Sequence, residues 1–143
     1  MDKKILIDFV NEIAEKTKIA NILVEKPHHY WLWCKDFQKL STLTNKSLQH
    51  RENVECFLEL KMIIENWMGH RPGWGLLITS NYRCGEVFLD YIERIKAETD
   101  GEKEEDVLKN CSLFFGYTFW KATILAVNRE RKLWERDHAN RHA

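Results

Sequence analysis

A chain of 143 residues, 44% hydrophobic and 31% charged, carries enough apolar material for one packed core, and this excludes a disordered chain. Its 22 basic and 22 acidic residues cancel, so it lacks the basic surplus by which duplex-DNA-binding proteins gain affinity through counterion release. Two prolines and six glycines are too few for a β-sandwich, which needs a turn roughly every 8–12 residues.

The first helical stretch covers residues 3–24. Its stripe is Leu6, Phe9, Val10, Ile13 and Ala14, at the spacing of one helix face. Thr17 and Lys18 mark a break, and Ile19–Val24 then form a second short helix. Pro27 closes that run, because the residue before a proline is pushed out of the α region. From about Tyr30 a new helix carries Tyr30, Trp33, Phe37 and Leu40 on one face, with Lys35, Asp36, Gln38 and Lys39 opposite. Residues 41–47 (STLTNKS) are rich in cap-forming side chains and read as a loop. Ser47 then caps a third helix that runs to Met68. Its stripe is Val54, Phe57, Leu60, Ile64, Trp67 and Met68. Gly69 stands where a helix ends.

The segment GHRPGWG (69–75) holds three glycines and one proline, which demands a loop with unusual backbone angles. Leu76–Thr79 reads either as a short strand or as a first helical turn. A fourth helix fits residues 84–98, with Val87, Phe88, Tyr91, Ile92 and Ile95 on its inner side. Thr99-Asp100-Gly101-Glu102 matches the capping-box pattern that opens a helix. The last helix then runs to about residue 138, roughly 57 Å long at ~1.5 Å per residue, with Gly116 as its bending point. Acidic residues crowd its start and basic residues its end, the order the helix dipole favours. Together these segments predict one all-α domain over 1–143, a bundle of four or five helices with a long C-terminal helix.

Cys34, Cys56, Cys84 and Cys111 form no C-x-x-C pair, which speaks against a structural zinc site or a thioredoxin-like redox site. The N-terminal run MDKKILIDFVNEIAEK has acids within its apolar stretch and no signal-peptide core. These features predict a cytoplasmic chain with free thiols. No cofactor motif is present. His138 and His142 share a helix face, but two ligands are too few for a metal site, and no Glu follows the first His.

Five segments stand out as candidates for function. Residues 111–127 (CSLFFGYTFWKATILAV) are apolar on nearly every side. They are too short for a membrane span of ~20 apolar residues and hold Lys121, so they read as a central helix rather than a membrane segment. Within them Leu113, Tyr117, Trp120, Ile124 and Val127 alternate by four and three, a coiled-coil-like seam that suits a homodimer. The GHRPGWG loop sets His70, Arg71 and Trp74 on one constrained turn. That turn is either a tight connection with Trp74 packed on the core or a recognition tip, since Arg and Trp are typical anchors of interfaces. Trp31, off the inner stripe of its helix, is the other partner-binding candidate. The end of the chain gathers Arg129, Arg131, Lys132, Arg136 and Arg141, a local patch for nucleic acid.

At that same end, the run Arg136-Asp137-His138-Ala139-Asn140-Arg141-His142 places an Arg, a polar residue, four residues and a His. It resembles the short motif of HEPN-family ribonucleases, helical bundles that dimerise and cut RNA without metal. The resemblance implies His142 as general acid or base on the 2′-hydroxyl and Arg136 as the stabiliser of phosphorane charge. It covers seven residues, and the leading expectation assigns no catalytic residue. That expectation is a non-enzymatic protein acting by macromolecular interaction: an adaptor, inhibitor or complex subunit whose partner is another protein. Its motivation is the surplus of aromatic residues, six of them tryptophan, and the long apolar helix. The ribonuclease and the nucleic-acid binder are the alternatives.

Overall fold

The computed structural model describes residues 1–18, 27–49, 56–71, 73–99, 101 and 103–141. Within them lie five α-helices and one small hairpin: α1 (Lys3–Lys16), α2 (Pro27–Gln49), α3 (Cys56–Met68), β1 (Leu77–Thr79), β2 (Tyr82–Arg83), α4 (Cys84–Glu98) and α5 (Glu104–Arg141). The architecture is the all-α bundle with a long C-terminal helix. Val54, the short helix expected over Ile19–Val24, Asp100 and Glu102 lie outside the described residues.

α1 starts where Asp2 accepts a hydrogen bond from the Lys4 amide (3.0 Å), satisfying one of the orphan donors of a helix start. It ends at Thr17, and Lys18 follows with φ of 51°, so the break falls where expected. Leu6, Phe9, Val10 and Ile13 are buried, as their spacing requires.

α2 is longer than the sequence suggested. Residues 41–47, expected as a loop, are helical, and Ser47 lies inside α2 instead of capping the next helix. The hydroxyls that usually compete with a helix are absorbed by it: Thr42 Oγ1 donates to the Gln38 carbonyl (3.0 Å) and Thr44 Oγ1 to the Leu40 carbonyl (2.6 Å). Ser41 goes further. Its Oγ donates to the Ser112 carbonyl (2.9 Å) while Ser112 Oγ donates to the Ser41 carbonyl (3.0 Å), a reciprocal pair that ties α2 to α5. Tyr30 OH adds a third tie, donating to the Ala122 carbonyl at 2.7 Å. The small residues Ser41, Ser112, Ala122 and Ala126 let these two backbones approach closely.

The chain runs through Gly116 as continuous helix, and α5 spans about 57 Å. It begins at Glu104, later than the capping-box pattern implied. Thr99 closes α4 instead: its Oγ1 donates to the Ile95 carbonyl (2.6 Å), and Gly101 takes a positive φ of 74° in the turn that follows. Local hydrogen bonding by a Thr serves either end of a helix, and here the preceding helix has it.

The core joins all five helices. At its centre Trp33, Phe37, Trp74, Phe88 and Phe114 form a chain of ring contacts, with centroids 5.1 Å apart for Trp33–Phe37, 5.4 Å for Phe37–Trp74, 5.2 Å for Trp74–Phe88 and 6.2 Å for Phe88–Phe114. The first three pairs meet edge-on or tilted and Phe88–Phe114 is stacked, arrangements that suit the ring quadrupoles.

α1 is held to α4 by a second, more exposed group. Tyr91 OH donates to Glu12 Oε2 (2.6 Å), and Arg94 reaches the same carboxylate (3.4 Å) while lying over the Phe9 ring, 4.4 Å from its centroid. The Tyr91 hydrogen bond, helped by Arg94 and Lys16, holds the Glu12 carboxyl below its ordinary 4.5. A carboxyl whose folded value is depressed adds stability above its unfolded pKa, and this is lost as pH falls through the folded value. Denaturant unfolding followed from neutral pH down through about pH 4 is therefore expected to show declining stability, and Tyr91→Phe is expected to flatten that decline by removing the largest cause.

Candidate functional site

Two regions collect the residues singled out from the sequence: the 69–75 loop and the outer face of α5. The loop begins as α3 ends, with Gly69 N bonded to the Asn66 carbonyl (3.1 Å) and both His70 N and Arg71 N to the Trp67 carbonyl (3.2 and 2.8 Å). Its unusual backbone is at Gly73, with φ of 91°, and a Cβ there would collide with the Trp33 ring. The chain must pass this ring as bare backbone to bring Trp74 inward.

Trp74 is fully buried. Its Nε1 donates to Asp36 Oδ2 (3.0 Å), and Arg71 Nη1 donates to Asp36 Oδ1 (2.8 Å) while its guanidinium covers the Trp67 ring at 4.2 Å. Asp36 belongs to α2 and is 4% exposed. The sequence reading placed it on the polar face; it sits instead beside the inner stripe, one turn from Trp33 and Leu40. A buried carboxylate is tolerable because both oxygens are paired, one of them with a cation. So the loop forms the tight connection, not a tip that offers Trp74 to a partner. Arg71 is committed to Asp36, and His70 alone of the three is exposed. The side chain of Trp31, the fourth candidate, lies outside the described residues.

After the loop, Leu77–Thr79 resolves as a strand. It pairs antiparallel with Tyr82–Arg83, in register Leu77 with Arg83 and Thr79 with Tyr82. The hairpin seats α4: Gly85 N donates to the Trp74 carbonyl (2.8 Å) and Cys84 N to the Leu76 carbonyl (2.7 Å).

On α5, the inner face buries Val107, Leu108, Cys111, Phe114, Phe115, Ala122 and Ala126. The seam expected to suit a dimer divides. Leu113 and Tyr117 are partly buried against the core, while Trp120 is 63% exposed, Ile124 53% and Val127 52%. The same four-three spacing continues through Arg131 to Trp134, 60% exposed, and His138, whose ring stacks on Trp134 at 3.6 Å between centroids. An exposed strip, apolar except for Arg131 and His138, thus runs down the side of α5 opposite Ala122 and Ala126. No helix among the described residues is long and apolar enough to cross a membrane.

The basic end is mixed in charge. Arg131, Lys132 and Arg136 are exposed and Arg129 is half-buried, but Glu130, Glu135 and Asp137 are exposed among them. Four basic and three acidic residues leave a net charge of +1 over 129–138, with His neutral. The side chain of Arg141 and the whole of His142 lie outside the described residues, so Arg136 alone of the ribonuclease-like pair has a described position. Among the described residues no three His, Cys, Asp or Glu side chains gather closely enough to hold a metal ion. All four cysteines are buried, and the Cys34, Cys84 and Cys111 thiols are free. Burial pushes the Cys34 thiol up to about 11 and Cys111 to about 12, and raises Cys84 as well. Such thiols are poor nucleophiles.

Comparison with known proteins finds no match to a protein-family model, to a curated protein or to a solved structure.

Two outcomes follow from this geometry. Trp74→Phe keeps a ring in the core but removes one donor from Asp36; it is expected to cost about 1–3 kcal/mol, and Trp74→Ala about 3–5 kcal/mol, both read from denaturant midpoints. Alkylation of the native protein, mapped by mass spectrometry, is expected to leave Cys34, Cys84 and Cys111 unmodified until denaturant is added.

Proposed function

We propose that this protein acts by binding another macromolecule, as an adaptor, inhibitor or complex subunit, through the outer face of α5. One observation supports the reading above the rest: Trp120, Ile124, Val127 and Trp134 lie on one side of a single helix, each more than half exposed. Isolated exposed apolar residues are ordinary, but a contiguous strip of them marks an interaction surface, and tryptophan is the side chain most often found to dominate interface energy. The partner is a protein, and a second copy of the chain is one such protein. Binding through this face replaces the proposed role of the 69–75 loop, whose Trp and Arg are engaged internally. A nucleic-acid role for the 129–141 end has less support, because five basic and three acidic residues leave a net charge of only +2 there, which releases few counterions.

The test is affinity capture from a native lysate with nuclease treatment, comparing wild type with Trp120→Glu and Trp134→Glu. Both residues are exposed, so these variants are expected to keep the far-ultraviolet circular dichroism and melting temperature of wild type. A specific protein retained by wild type and lost from both variants is the expected result. Retention dominated by nucleic acid, equal in all three, overturns the reading in favour of the basic end. RNA cleavage abolished by His142→Ala overturns it in favour of a ribonuclease.

A further inference from the structure

We draw no further inference here: the strongest candidate, the exposed strip of Trp120, Ile124, Val127 and Trp134 on the outer face of α5, carries nothing beyond the contact surface already proposed, because nothing in the structure shows what covers it.

Discussion

The Asp36 carboxylate is the contact on which the arrangement of the core depends. It sits in the wall of α2, shielded from water, and charge in such a place is stable only while both oxygens are bonded. Trp74 and Arg71 supply those bonds from a loop that follows α3. The loop is thereby drawn against α2, and Trp74 enters the ring cluster between Phe37, Trp67 and Phe88. Once Trp74 is seated, its carbonyl receives Gly85 N, and α4 starts in a set place. A polar pair thus determines where an apolar core closes. Trp33 shows the cost of such close packing: its Nε1 is buried without a hydrogen-bond partner among the described residues.

The pairing of α2 with α5 works differently. Here the polar contacts are hydroxyl to carbonyl, from Tyr30, Ser41 and Ser112, and they need backbones that lie close together. Small residues on α5 permit that approach. They leave the bulky residues of the same helix, Trp120, Ile124 and Trp134, on the side away from the bundle. The helix therefore has two faces: Phe114, Phe115, Ala122 and Ala126 turn inward, and Trp120, Ile124, Val127 and Trp134 turn outward.

The five tryptophans whose side chains are described divide accordingly. Trp33, Trp67 and Trp74 fill the core, and Trp120 and Trp134 stand on the outer face of α5. Composition alone poses core and surface as rival explanations for so many aromatic residues, and both hold, in different places. Periodicity distinguishes them only in part. The inner stripe of α2 reads correctly because Tyr30, Trp33, Phe37 and Leu40 repeat at helical spacing and all are buried. Asp36 escapes the same reading because its side chain is polar, although its position, three after Trp33 and four before Leu40, adjoins that stripe. The hydroxyl-rich residues 41–47 mislead for a related reason. Ser and Thr bond to backbone inside a helix as well as beside one, and only the presence of α5 against Ser41 selects the helix.

By itself the sequence determined the helical class, the extents of α1 and α4, the break at Thr17, the glycine-rich loop over 69–75 and the four-three spacing on the last helix. These follow from side-chain spacing and backbone restriction, which act over a few neighbouring residues. Tertiary structure alone decided that Asp36 is buried, that Trp74 and Arg71 close on it, that Thr99 ends α4 instead of opening α5, and that the lower half of the seam is bare. Each of these depends on which side chain from a distant segment arrives to fill or pair a position, and no local pattern carries that information.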